Sequence, residues 1–188
     1  MKRYAPRLLL VLLAATSAAA LPAASAQASS GSCAIATVGA AGNNLPTKAS
    51  LSTARRETLC LLNRERGQRG LRPLRLSTYL SQASVGHSRN MVRKGFFQHG
   101  NFVARILNTR YVTHRQAWSL GENIAWGTGT LGTPAQTVRA WMHSPGHRAN
   151  ILSRRFRDIG IGIALGAPAV VHVSSGAATY TTDFGVKD

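Results

Sequence analysis

The hydrophobic pattern of this chain changes its period near Asp158, and this change limits the fold more than any other feature. Before Asp158, apolar residues recur at helical spacing in a segment that begins near Leu51 and in a second segment, Ser77–Lys94. After it, short runs of strand-forming residues are separated by Gly, Pro and Ser: DIGIGIAL, AVVHVSS and TYTTDFG. Helices followed by an antiparallel meander predict an α+β domain.

Two more helices are predicted between these regions. A short one lies in FVARILNTR, residues 102–110. Another begins at Thr133, which is suited to cap a helix and is followed by Pro134 at the first helical position and by Gln136, which completes a capping box. The glycine-punctuated segment GENIAWGTGTLG, residues 121–132, is assigned neither to a helix nor to a strand.

The N-terminus has the three parts of an export signal. Basic residues precede an apolar run over residues 8–20, which is too short to span a bilayer. The small residues 24–26 then match a signal-peptidase cleavage pattern. We therefore predict a signal peptide over residues 1–26 and a secreted, extracellular product.

The rest of the chain divides by composition into an arm and one domain. Residues 27–50 are small and polar and cannot bury much surface, which predicts an N-terminal arm or linker. Residues 51–188 are enough for a single domain with its own core. No stretch after residue 26 is apolar enough to cross a membrane, so no transmembrane segment is expected in the mature chain.

Both cysteines, Cys33 and Cys60, lie after the predicted cleavage point. Export favours oxidation, so we predict a Cys33–Cys60 disulfide. Cys60 falls off the apolar face of the first helix, which suggests that the arm crosses the exterior of that helix. Lipid attachment at Cys33 is the alternative, and it ranks lower because the preceding residues 30–32 lack the large apolar residue of a lipoprotein site.

The charge balance is strongly basic, with 23 Lys and Arg against 6 Asp and Glu. Removal of residues 1–26 takes away three positive charges from the formal +17 and leaves +14. Such a surface predicts attraction to anionic cell-envelope polymers or lipid head groups. No nucleic-acid motif accompanies the charge, so no specific nucleic-acid recognition is expected.

The stretch WMHSPGHRAN contains two histidines four residues apart, His143 and His147. On one helix this spacing would bring both imidazoles to a single metal ion, but Pro145 disfavours helical geometry at Ser144. We therefore predict that one helix ends here and a second begins, with Ser144 as its cap and Pro145 at its first position. His143 then faces water, and His147 needs a partner from elsewhere in the chain.

Two residues are candidates for that partner. His99 follows the second helix in FFQHG, and Glu122 lies in GENIAWG beside apolar residues. A buried carboxylate at that position would need a hydrogen-bond or charge partner. Asp183, in TYTTDFG, would reach the same place if its side of the strand faces it. His87 lies within a helical apolar stripe and is interpreted as a core histidine.

Taken in order, several segments together resemble the CAP superfamily, which is named after cysteine-rich secretory proteins, antigen five and pathogenesis-related proteins. The segments are LLNRERGQRGLRPL, FFQHG, GENIAWG, SPGHRANIL, DIGIGIA and TYTTDFG, and the resemblance, closest to the secreted bacterial branch, covers about residues 52–186. It implies a three-layer αβα sandwich with a central antiparallel sheet. It also implies a cleft with two histidines and two acids, which here correspond to His99, Glu122 and His147, with Ser144 at the position of the second acid.

Two functions remain open at this point. In the first, the chain is a non-enzymatic binding module that takes a small or lipid-like ligand, with His99 and His147 binding a divalent metal, zinc foremost, weakly. Glu122 would ligate through water or orient an imidazole. In the second, the cleft is a peptidase-like hydrolase that uses Glu122, His147 and Ser144. The loss of the second acid weakens this interpretation, and a purely structural hydrogen-bond network at the cleft floor is the alternative to both.

Overall fold

The computed structural model describes residues 42–113, 116–168 and 176–188, all within one compact unit. The predicted signal peptide, most of the predicted arm, Cys33 and the predicted strand AVVHVSS lie outside the described residues. None of the helices described is long and apolar enough to cross a membrane.

The described residues form five helices and four strands, and the predicted helices are present. In chain order the elements are α1 (Leu51–Gly67), β1 (Arg75–Leu76), α2 (Thr78–Lys94), α3 (Phe102–Leu107), β2 (Trp118–Thr128), α4 (Pro134–His143), α5 (Pro145–Leu152), β3 (Asp158–Leu165) and β4 (Ala177–Lys187). A short 3-10 turn, Gly129–Gly132, connects β2 to α4.

Local capping explains where two of these helices begin and end. The Ser77 side chain accepts a hydrogen bond from the Leu80 amide at the start of α2, and Gly95 ends that helix at φ 67°, a left-handed conformation that suits glycine. Thr133 accepts from the Gln136 amide at the start of α4, with proline at the first position. The helix cap predicted at Thr133 is confirmed.

The sheet has the strand order β1-β3-β4-β2. The three long strands are antiparallel, and β3 and β4 are two of the strands predicted from the sequence, but the two-residue β1 pairs parallel to β3 and makes the sheet mixed. β2 was not predicted as a strand, yet it pairs with β4 along all of its 11 residues. The α+β class predicted from the sequence is confirmed.

Side-chain alternation on β3 shows that helices cover both faces of the sheet. The isoleucines at 159, 161 and 163 point into a core formed with α1, α4 and α5. Gly160 and Gly162 point the other way, where an added Cβ would collide with the backbone of α2 at Leu80 and Ser84. Because these glycines carry no side chain, α2 packs directly on the strand.

Cys60 on α1 is buried, with 7% of its surface exposed, but it does not belong to the hydrophobic core that includes Leu61 and Leu62. The prediction that the arm crosses the exterior of α1 stays a prediction, since most of the arm lies outside the described residues. Glu57 and Arg66 are buried on α1 as well.

Candidate functional site

The predicted helix break in WMHSPGHRAN is confirmed. α4 ends at His143, Ser144 is extended with ψ 118°, and α5 begins at Pro145. His143 is exposed, and its Nδ1 bonds the Arg139 carbonyl at 2.7 Å. The Ser144 side chain makes no capping hydrogen bond, contrary to prediction, whereas the Ser144 carbonyl accepts the first hydrogen bond of α5 from the Arg148 amide at 2.8 Å.

Glu122 lies on β2, the edge strand of the sheet, and its side chain is completely buried. One carboxylate oxygen, Oε1, is 2.8 Å from Nδ1 of His99. The other oxygen, Oε2, is ion-paired with the Arg105 guanidinium. Both oxygens of Glu122 therefore already have a partner within the protein, as its buried position requires.

Arg105 was not predicted as a site residue. It lies on the six-residue helix α3 and also donates a hydrogen bond to the His99 carbonyl at 3.3 Å. It therefore fixes both the carboxylate and the segment that carries the imidazole. The only hint in the sequence was a single basic residue within the short apolar helix that follows FFQHG.

His99 is held in one orientation by Glu122. A carboxylate accepts hydrogen bonds, so Nδ1 of His99 carries the proton and Nε2 keeps a free lone pair when the ring is neutral. About half of the side chain, 49%, remains exposed. The pKa of His99 is lowered by partial burial and by the positive charge of Arg105, which favours the neutral ring.

His147 approaches the same edge strand from the opposite face of the sheet. The Asn123 side chain on β2 donates to the His147 carbonyl at 3.1 Å, and Asn150 on α5 bonds back to β2 at the Glu122 carbonyl, also at 3.1 Å. Burial lowers the pKa of His147, and the nearby charge of His99 lowers it further. We call His99, Glu122 and His147 the cleft.

Asp183 completes the buried polar cluster from β4. Asp183 lies directly opposite Glu122 in the strand register. The sequence did not determine which face of the strand carries Asp183, and the structure shows that it is the face that carries Glu122. Ser84 of α2 donates to Oδ2 of Asp183 at 2.7 Å, whereas Oδ1 is buried without a donor. Burial and the neighbouring Glu122 raise the pKa of Asp183, and burial raises the pKa of Glu122 to about 7 against the lowering effect of Arg105.

Two further predictions concern His87 and the metal site. His87 is a core histidine, as interpreted, since it is 4% exposed, its Nε2 is 2.9 Å from the Gln98 carbonyl, and burial lowers its pKa to about 4. Within the described residues, no group of three or more His, Cys, Asp or Glu side chains is arranged to hold a metal ion. The cleft offers two imidazole nitrogens, not a set of three protein ligands.

An α+β sandwich with this cleft along its edge strand has the features of a CAP domain, and comparison with known proteins agrees. Residues 59–175 match the cysteine-rich secretory protein (CAP) family, so the chain belongs to the CAP superfamily, as predicted. It is 35% identical over 117 residues to the uncharacterised protein YkwD of Bacillus subtilis strain 168. That match covers 60% of this chain but only 43% of YkwD, so the chain spans less than half of that relative's length.

Solved structures show the same fold at lower identity. An extracellular protein with an SCP domain from Bacillus anthracis aligns with a TM-score of 0.57 and 22% identity, over 74% of this chain and 43% of that one. An outer surface protein of Borrelia burgdorferi aligns with a TM-score of 0.56 and 17% identity, over 77% of this chain and 98% of that one. CAP domains from bacteria are thus among its structural neighbours.

Proposed function

We propose that this chain is a secreted, non-enzymatic binding module whose cleft binds a divalent metal ion through His99 and His147. The hydrogen bond between Glu122 and Nδ1 of His99 is the observation that carries the proposal. A carboxylate that fixes the tautomer and orientation of an imidazole is the usual outer partner of a metal-binding histidine. Nε2 of His99 is then the nitrogen available to the ion.

The donor set fits zinc or a similar ion that accepts imidazole nitrogen. Glu122 supports the site without binding the metal directly, because His99 and Arg105 already engage its two oxygens. Two protein nitrogens leave coordination positions for water or for a small ligand, so metal binding should be weak. A bound zinc ion would supply a Lewis acid that holds an anionic or carbonyl group of a small or lipid-like ligand.

The hydrolase alternative is less well supported by the same contacts. In the described part of the chain, the Ser144 side chain makes no hydrogen bond with His147, which a serine nucleophile and its base would need. Glu122 is buried and neutralised by Arg105, and the neighbouring Asp183 is fully buried and bonded to Ser84 of α2. Neither carboxyl group is placed to take a proton from a substrate.

Secretion and a basic surface complete the proposal. An N-terminal export signal supports secretion, and the solved relatives described as an extracellular protein and an outer surface protein agree with it. The predicted mature charge of +14 would hold the protein on anionic polymers of the cell envelope. This attraction would be screened by salt, because the Debye length is about 8 Å at physiological ionic strength.

Zinc titration by calorimetry tests the metal site. We expect His99→Ala and His147→Ala each to lower the affinity by about 100-fold or more, since even loss of an outer carboxylate partner costs about 10–100-fold. Glu122→Gln should show that smaller loss. His143→Ala is the matched control and should bind zinc like the wild type, because His143 lies on the other side of the helix break.

Two results would overturn the proposal. If His143→Ala lost as much affinity as His147→Ala, the two histidines would act as a pair and the cleft would be assigned wrongly. If the wild type did not bind zinc while Glu122→Gln unfolded more easily, the cleft residues would form a structural network.

A further inference from the structure

A second concave site, a cavity of about 590 Å³, lies between α1 and α4 and shares no residue with the cleft. We call it the arginine groove. Its charged or titratable residues, among those described, are Arg64, Glu65, Arg69, Arg139, His143 and Arg148. They come from three different helical segments, so the fold collects them into one hollow. The break at Ser144 sends His143 to this groove and His147 to the cleft.

The positive charge of the groove is largely uncompensated. Glu65 is its one described acid and pairs with Arg69 at 2.9 Å. Arg64, Arg139 and Arg148 are exposed, and none of them forms an ion pair within residues 42–113, 116–168 and 176–188. A hollow lined by charge of one sign focuses the potential and concentrates anions.

The chemistry of the lining points to phosphate groups joined by short carbon linkers. Guanidinium forks match the oxygens of phosphate with paired hydrogen bonds. Between the arginines, the side chains of Leu61, Val138 and Met142 give the groove an apolar floor that suits linker carbons. The cavity is far larger than a single phosphate and falls within the range of about 300–1,000 Å³ that encloses a drug-sized segment.

A soluble polymer fits the groove better than a membrane surface does. Proteins that dock on a bilayer insert large apolar side chains beside their basic residues. The large hydrophobic residues exposed in the described chain, among them Trp118, Trp126 and Leu131, are absent from the groove lining. Its apolar residues lie at the bottom of a hollow, where a flat bilayer cannot reach them but a narrow chain can.

We propose that the arginine groove binds a segment of a polyol-phosphate polymer, with Arg64, Arg139 and Arg148 contacting successive phosphate groups. This inference rests on the proposed affinity of the protein for anionic polymers and gives that affinity a location and a ligand class. It is independent of metal binding in the cleft.

The test measures fluorescence anisotropy of labelled poly(glycerol phosphate) with the purified protein at low and high salt. The groove variant replaces three arginines: Arg64→Gln, Arg139→Gln and Arg148→Gln. All three are exposed, and thermal unfolding checks that the variant is folded. We expect the variant to bind the polymer about 10- to 100-fold more weakly, because it loses three exposed charge contacts. Its affinity should also depend less on salt concentration.

The matched control removes the same charge from α2, on the opposite face of the sheet, with Arg89→Gln, Arg93→Gln and Lys94→Gln. We expect it to keep most of the affinity, because it changes only the long-range field. His99→Ala should bind the polymer like the wild type.

The outcomes separate the general affinity for anionic polymers from its location in the arginine groove. Equal weakening of both triple variants would overturn the groove but leave the general affinity for polyanions intact. No binding by the wild type at low salt would overturn both. Groove-dependent binding to phosphatidylglycerol vesicles, without binding to the soluble polymer, would replace the polymer by a membrane and overturn the ligand assignment.

Discussion

Glu122 on β2 and Asp183 on β4 lie directly opposite each other, and both carboxyl groups are buried in the sheet interior. Arg105 and His99 hold the first carboxyl group, and Ser84 holds the second. Burial raises the pKa of both groups, and the charge of Glu122 raises the pKa of Asp183 further. The cleft therefore rests on two buried acids whose surroundings favour the protonated form.

Asp183→Asn should stabilise the protein at neutral and higher pH. The pKa of Asp183 is higher in the folded protein than its ordinary value of 3.8. The contribution of the protonated acid to the free energy of unfolding is therefore complete below pH 3.8. It is lost as the pH rises through the pKa of the folded protein. An amide keeps the neutral form and donates to Glu122. The free energy of unfolding, measured in urea, should exceed that of the wild type by about 1 kcal/mol or more at pH 8 and by less at pH 4.

The control for that measurement is Glu65→Gln, which removes an acid at the groove edge of α1. It should not reproduce the pH-dependent gain. The free energies of unfolding of Asp183→Asn and the wild type could instead differ by the same amount from pH 4 to pH 8. That result would show that the pKa of the Asp183 carboxyl group does not change on unfolding.

Ser144→Glu should raise zinc affinity severalfold. The resemblance to CAP proteins places an acid at this position, and a carboxylate there would add a ligand to the two imidazoles. Ser52→Glu, at an exposed position of α1, adds the same charge away from the cleft and is the matched control. Calorimetry that gave both variants the same affinity would assign any gain to net charge alone.

Zinc binding should persist to more acidic pH than an ordinary histidine site allows. Protons compete with the metal for imidazole nitrogen, usually near the unperturbed pKa of about 6.5. Burial lowers the pKa of His99 and of His147, so both rings stay neutral below that point. We therefore expect the midpoint of the fall in affinity to lie below about pH 6.5. A fall centred at or above pH 6.5 would contradict the lowered values.

The Cys33–Cys60 disulfide stays a prediction, since Cys33 lies outside the described residues. Peptide mass spectrometry of the unreduced protein should find the two cysteines linked. In the chain-entropy model, such a bond contributes about 3.5 kcal/mol to stability, so a reductant should lower the unfolding temperature. A lipid on Cys33, or two free thiols in protein prepared under oxidising conditions, would rule the bond out.

Arg66→Ala should strongly destabilise the fold. The Arg66 side chain is fully buried and donates to the carbonyls of Arg72, Ile151, Ser153 and Phe156, at 2.7 to 3.5 Å. Its removal leaves several buried carbonyls without donors, each costing about 1–3 kcal/mol. We expect a total loss of about 3 kcal/mol or more in urea unfolding, whereas exposed Arg64→Ala on the same helix should change stability by about 0.5 kcal/mol or less.

Local signals in the sequence predicted the features that neighbouring residues decide. The cap at Thr133 and the helix break at Ser144 depend on residues within one turn, and both are present. The helix break alone was enough to separate His143 from His147. These features could be read from the sequence because their causes are steric and close in the chain.

The features that were missed depend on distant partners. β2 is rich in glycine, and its extended form is fixed by pairing with β4, in which Asp183 lies 61 positions after Glu122. The role of Arg105 follows from the placement of α3 beside Glu122. No local pattern reports such contacts, since they exist only once the layers have assembled.

The position of β4 also sets the order of events when the chain folds. It is the last strand described and lies between β3 and β2, so β2 has no neighbour in the sheet until residues 177–187 have been synthesised. Until then Glu122 remains in water and the early helices have no complete surface to pack on. Pairing across such a sequence separation is slow. We therefore expect the cleft to be assembled late, because a chain that stops short of β4 lacks both Asp183 and the strand that pairs with β2.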